Sequence, residues 1–337
     1  FALFSFPKVL CICVGSGLDR SACTAVALEM ETRVMTTAPA HDIICWITLA
    51  EVVFVEFHWL YRPLTAHPFQ NTALYREVPP NPALAPWVRC FWGTDRPVTQ
   101  EPERTLVTPD TCMDLILEIR QAGAPVTCRF CGINDRPFES VSPGGQLGSI
   151  FGVRFYPWAL ALFCEDSLAN SKNKIFPGES LFPRLCRELA PVMEAQPTLE
   201  GRAQAAGTLL LSRLRLDRCS EPLLQASWEL LRSRGSLRME QLSRSLHVST
   251  RQLERLFQTH MGLSPKTFAC LMRYQLLWCD ALRPGFDIQD AVFRYGFTDQ
   301  SHLLHDFKKF HTMTLPQAQT RAWKDVGFLQ EKSGAER

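Results

Sequence analysis

The chain of 337 residues has almost no excess charge of either sign: 36 Lys and Arg stand against 34 Asp and Glu, a formal net charge of +2. That balance excludes a protein that holds polyanions by bulk electrostatics alone, and it makes the placement of charge the question. Long apolar runs are lacking too. Ile43 to Tyr61 is interrupted by Glu51, Glu56 and His58, and a buried carboxylate is costly in a bilayer, so no membrane span is expected. Phe1 to Gly15 is apolar but lacks the basic start of a signal peptide. There is no G-x-S-x-G, no P-loop and no H-E-x-x-H, which removes three common catalytic signatures. Thirteen cysteines are present, an odd number scattered along the chain, which suits small buried apolar residues better than a disulfide framework. The one CxxC pair is Cys128 with Cys131, and Cys90 and Cys112 lie upstream. A structural zinc site normally needs four ligands and a second such pair is missing, so neither a metal nor a cofactor is expected.

What is present divides the chain, and its length alone suggests two folded units. Residues 1–70 show no clean periodicity and are expected to be a leader, either disordered or upstream of the true start, for which Met35 is one candidate. Residues 75–170 hold short β-branched and aromatic runs (Val88 to Trp92, Cys112 to Ile119, Ser149 to Phe155) between Pro, Gly, Asp and Asn, the pattern of a small β-rich domain. Residues 180–218 form a helical linker, with amphipathic helices at Phe182 to Ala195 and Leu199 to Leu216. Residues 221–323 form an all-α domain that opens with a helix over Pro222 to Arg234, and residues 324–337 are a tail. The fold class is therefore α+β and multidomain.

Within Ser236 to Gln319 a pattern occurs twice: a short helix, a turn, then a helix with a polar face. In the first unit Leu237, Met239, Leu242 and Leu246 give a short apolar face, and Ser249 or Thr250 is the N-cap type that opens the next helix. Leu253, Leu256 and Phe257 point inward, while Arg251, Glu254, Arg255 and Gln258 share the other face at helical spacing. In the second unit Ile288, Ala291 and Val292 line the short helix, Gly296 makes the turn and Thr298 is the expected N-cap. Leu303, Phe307 and Phe310 pack inward and leave Gln300, Ser301, His302, His305, Lys308 and Lys309 outward. Arg suits guanine, Gln suits adenine and Lys suits phosphate, so both faces have the chemistry to read double-stranded DNA in the major groove. Leu237 to Trp323 carries 11 Lys and Arg against 7 Asp and Glu. That modest excess asks for placed contacts.

Three blocks, STRQLERLF, GLSPKTF followed by RYQLL, and YGFTDQSHLLHDFKKF, resemble in order the DNA-binding domain of AraC/XylS-type transcription regulators. The resemblance implies two helix-turn-helix modules joined by a rigid helix, here Pro265 to Leu282. It implies that Arg251, Glu254 and Arg255 in the first module and Gln300, Ser301, His302 and His305 in the second sit where the family meets DNA; Gln252, Lys308 and Lys309 join them as expected DNA contacts by residue type. Four positions depart from the pattern: His247 stands where the family usually has Gly, Val292 where it has a small Ala, with the small Ala291 beside it as an offset, Thr312 where Gly is common, and Leu315 before a Pro316 that usually comes sooner.

The resemblance extends more weakly to PDTCMDLILEI and GVRFYPWAL, implying a β-barrel-like sensor domain, a small-molecule effector, a contact with RNA polymerase, and a cytoplasmic protein. Trp87, Phe91, Trp92, Asp114, Arg154 and Tyr156 either line an effector pocket or are plain core. The 180–218 helices either make a homodimer or pack on their own domain. Two other functions stay open on residues alone. One is a DNA-binding repair protein that transfers a methyl group to a cysteine at a zinc site, with Cys128 and Cys131 as its only support. The other is a degenerate relative that acts by protein–protein interaction.

Overall fold

The short alternating runs of the first half become strands because each offers one apolar face to a common core. In a computed structural model, residues 61–65, 68, 75–93, 103–120, 124–142, 147–164 and 166–334 are described. The strands are β1 (Arg76–Val78), β2 (Val88–Gly93), β3 (Glu103–Val107), β4 (Met113–Arg120), β5 (Thr127–Cys131), β6 (Phe138–Ser142), β7 (Leu147–Phe155) and β8 (Ile175–Pro177). Six of them form an antiparallel sheet in the order β1-β2-β7-β4-β5-β8, and β3 pairs with β6 in a separate ribbon. On β4, Met113, Leu115 and Leu117 alternate into the core, where Phe91, Phe130, Phe151, Val153 and Phe155 meet them. Gly152 lies under the Trp92 indole, so close that a Cβ there would stand 2.1 Å from its ring.

Two helices then pack back on the sheet: α1 (Pro183–Ala195) buries Leu185, Leu189 and Met193, and α2 (Leu199–Arg213) buries Ala203, Ala206 and Leu210. The buried Arg202 guanidinium fastens the pair, donating to the Met193 and Gln196 carbonyls and to Ser149 Oγ on β7. Helix α2 ends three residues before the expected Leu216, because Leu214 has already turned to extended backbone.

Seven further helices follow: α3 (Glu221–Arg232), α4 (Met239–Ser245), α5 (Thr250–Met261), α6 (Pro265–Ala281), α7 (Ile288–Arg294), α8 (Gln300–His311) and α9 (Leu315–Gly334). Helix α6 is buried on more than one side, by Phe268, Leu271, Met272, Tyr274, Gln275, Leu277 and Trp278 among others. One side meets α5 and α8, where Phe268 lies against Phe257 and Tyr274 against Phe307 and Phe310. The other is gripped by the segment Tyr61–Thr65 and by the turn before β4. Gln275 exchanges hydrogen bonds with the Leu64 N–H and C=O, Trp278 Nε1 donates to the Thr65 carbonyl, and Tyr61 OH meets Thr111 Oγ1. The packed structure therefore begins no later than Tyr61, inside the stretch expected to be leader. The rest of that stretch lies almost wholly outside the described residues. Among the described residues no helix is long and apolar enough to cross a membrane.

Candidate nucleic-acid interface

The two modules are built alike, down to their hydrogen bonds. Each opens with a seven-residue helix, α4 or α7. Each then turns through one residue with positive φ, His247 at 53° and Gly296 at 67°. In the first turn His247 N–H bonds to the Arg244 carbonyl and Val248 N–H to Ser243; in the second Gly296 N–H bonds to Phe293 and Phe297 N–H to Val292. Histidine thus takes the left-handed conformation that its place in the family pattern demands, at the small cost its polar ring allows.

The second helix of each module has twelve residues and a side-chain cap. Ser249 Oγ accepts from Gln252 N–H at 3.2 Å, and Gln252 Oε1 accepts from Ser249 N–H at 2.8 Å in return, a reciprocal capping box. In the second module the cap is Asp299, whose carboxylate accepts from His302 N–H at 2.8 Å. This corrects the expected Thr298. Asp is the stronger capping type, and Thr298 instead meets His302 Nδ1 with its hydroxyl. Both helices end in a left-handed residue, Gly262 at φ 73° and Thr312 at φ 67°.

Counting from the caps, the two helices align with a shift of fifty residues. Leu253 and Leu303, then Phe257 and Phe307, are buried pairs. Arg251 corresponds to Ser301, Arg255 to His305 and Gln258 to Lys308, and all six are exposed. The alignment also brings Thr259 opposite Lys309. The second turn is one residue longer than the first, so the short helices that precede the turns do not keep this shift.

Of the ten expected site residues, nine are exposed: Arg251, Gln252, Arg255, Gln300, Ser301, His302, His305, Lys308 and Lys309. Glu254 is half-buried, matching the half-buried Leu304 in the second module. Some of the nine are already engaged. Gln252 serves the cap, Gln300 Oε1 accepts from Gln289 Nε2 at 3.1 Å, and His302 lies edge-on to Phe297. Lys309 Nζ sits 5.0 Å from the Phe310 ring centre. Arg251, Arg255, Ser301 and His305 make no side-chain hydrogen bond or ion pair with other described residues, which leaves them open to a partner.

Ion pairs hold the second module to α6. Arg273 Nη2 bonds Asp306 Oδ2 at 3.0 Å while its guanidinium lies 4.5 Å from the Phe297 ring centre. At the far end, Asp280 receives Arg283, Arg294 and the Tyr295 hydroxyl, the last at 2.7 Å. Val292, expected to crowd this junction, is half-buried, and Ala291 beside it is fully buried.

The residues weighed for an effector pocket separate into two groups. Trp87, Phe91 and Tyr156 are core. Trp92, Asp114 and Arg154 form a paired cluster: Asp114 accepts from Trp92 Nε1 at 2.8 Å and from Arg154 Nε at 3.0 Å, and Arg154 also reaches Tyr75 and Asp110. These carboxylates hold the Arg154 pKa well above the ordinary arginine value despite burial. The Cys128–Cys131 pair does not converge on one point. A strand sends residues three apart to opposite faces, and among the described residues no group of metal-ligating side chains is found.

Residues 242–321 match a family described as a helix-turn-helix domain. The C-terminal part is an AraC-type helix-turn-helix domain, and the chain is a DNA-binding transcription regulator. The regulator's residues 76–177, from β1 to β8, match a domain of unknown function, DUF6597. Solved structures of ToxT from Vibrio cholerae are similar at 10% identity. One covers 70% of the regulator and 93% of ToxT, and another, of ToxT bound to an unsaturated fatty acid, covers 66% and 92%; the TM-score is 0.34 in both. No curated protein matches the regulator's sequence.

Proposed function

We propose that the regulator reads two successive turns of the DNA major groove, α5 entering one and α8 the next. The observation that carries this reading is the fifty-residue correspondence between two capped helices, in which the paired positions Arg251 and Ser301, Arg255 and His305, and Gln258 and Lys308 are all exposed. Helix α6, of 17 residues, is about 25 Å long, and with a module at each end it suits probes one helical turn, roughly 34 Å, apart. Arg251, Gln252, Glu254 and Arg255 serve the first groove, with Glu254 at its margin. Gln300, Ser301, His302 and His305 serve the second, and Lys308 and Lys309 hold phosphate.

The β-rich part over 75–170 is proposed as the sensor of a small-molecule effector, the 180–218 helices as the homodimer contact through their outer faces, and RNA polymerase as the partner of the DNA-bound form. The setting is the cytoplasm, where a DNA-reading protein with reduced cysteines belongs.

Selection from random-sequence DNA followed by footprinting tests the proposal. Two protected segments about one helical turn apart on one face of the duplex are expected. Protection of a single groove segment, or selection that enriches nothing, rejects it.

A further inference from the structure

The sequence draws attention to Cys128 through its neighbour Cys131, but the fold gives it a different partner. Cys128 on β5 and Cys186 on α1, 58 residues apart in sequence, bring their Sγ atoms to 2.8 Å. Both side chains are buried. Cys131 faces the other side of the sheet, where its Sγ receives Asn134 Nδ2 at 3.5 Å.

The meeting of the two sulfurs is supported from several directions. Gly178, in the short turn between β8 and α1, stands beside both, and a Cβ there would come to 2.6 Å from Cys128 Sγ and 3.1 Å from Cys186 Sγ. Only a residue without a side chain leaves room for the pair. Phe130, two residues along β5, packs on Phe182 at the start of α1 with ring centres 5.5 Å apart. The strand and the helix are thus fixed on each other next to the thiols. The sulfurs need to close by only about 0.8 Å to reach the S–S bond length of about 2.0 Å.

We propose that Cys128 and Cys186 are a reversible disulfide site that ties the sheet to the first helix of the α1–α2 pair, formed by exchange with a low-molecular-weight disulfide such as oxidised glutathione. In the first step one cysteine thiolate attacks the glutathione disulfide, forming a mixed disulfide and releasing one glutathione thiolate. In the second the other cysteine thiolate displaces the remaining glutathione. The two cysteine thiols are oxidised, one glutathione disulfide is reduced to two glutathione thiols, and the two cysteine protons pass to those products. The Cys186 thiol at its side, with burial adding to it, pushes the Cys128 thiol far up. It therefore stays protonated in the folded chain, and exchange takes place as the chain folds or opens.

The test uses the full chain, unfolded in reductant and refolded in glutathione buffers of graded ratio. Free thiols are then alkylated and the unreduced protein is mapped by protease digestion and mass spectrometry. The expected result in the oxidising buffers is one linked peptide pair joining Cys128 to Cys186, with a melting temperature roughly 5 to 10 °C above that of the reduced protein. C186S and C128S, refolded in the same buffers, should give neither the linked pair nor the rise. A chain that does not refold is mapped instead after long dialysis of folded protein against the same buffers. Alkylation of both cysteines at every ratio overturns the proposal, as does a bond from Cys128 to Cys131 or to any other cysteine, or a linked pair without a melting shift.

Discussion

Gln275 Nε2, on the helix that carries both modules, donates to the Pro109 carbonyl at 2.6 Å, and Gln275 is fully buried at that contact. The same side chain takes and gives a hydrogen bond at Leu64, so one amide satisfies three main-chain groups drawn from two distant parts of the chain. Replacing it with alanine leaves those groups buried and unpaired, at about 1 to 3 kcal/mol for each that water does not reach. We expect Gln275→Ala to lose roughly 3 kcal/mol of stability, seen as a lower urea midpoint. A change under 1 kcal/mol would mean that this contact does not hold the β-rich part to α6.

DNA recognition is expected to separate by module. Arg251→Ala and Gln300→Ala should each weaken binding by roughly 1 to 3 kcal/mol and relax base preference, at different half-sites about one helical turn apart. Mobility shifts on singly altered copies of the selected sequence check this. If both substitutions relax the same base pair, the twin-groove reading is wrong.

The two left-handed residues that stand where glycine is usual should respond differently to it. Thr312 is β-branched and sits at φ 67°, a conformation costly for such a side chain. Thr312→Gly is expected to stabilise by about 1 kcal/mol once the added freedom of the unfolded glycine is offset. His247, at φ 53°, is of a type that tolerates this region, and His247→Gly should change stability little. Chemical denaturation of the two variants decides, and equal shifts would locate the strain elsewhere.

Acid should weaken the first module. Burial lowers the His260 pKa below its ordinary 6.5, so the fold prefers the neutral ring and the unfolded chain takes up the proton first. The stabilising preference is complete above the unfolded value and is lost as pH falls below about 6.5. His260→Gln should flatten the fall of the melting temperature between about pH 7 and pH 5. An unchanged slope would assign the acid sensitivity to another group.

How much of this was legible in sequence depends on the distance over which each feature is decided. The modules were readable because caps, turn residues and apolar spacing act within a dozen positions, as Ser249, Gly296, Leu253 and Phe307 show. The cap at Asp299 lies one residue past the position the sequence suggests, since Thr298 is also a capping type and only the backbone separates them. Glu254 looked outward by spacing alone, yet its position borders the core, as Leu304 shows at the equivalent place. The partner of Cys128 and the burial of Gln275 were out of reach. Both depend on strand order and on which side of α6 meets the β-rich part, and those contacts join residues 58 to 211 positions apart.

Asp280 stands at the last turn of α6 and answers to Arg283, Arg294 and Tyr295 together. That carboxylate ties the short helix and the turn of the second module to the shaft, so under the proposed two-groove reading it acts as a protractor for the operator. Altering it would shift which spacer length between half-sites is accepted, while the letters read within each half-site stay the same.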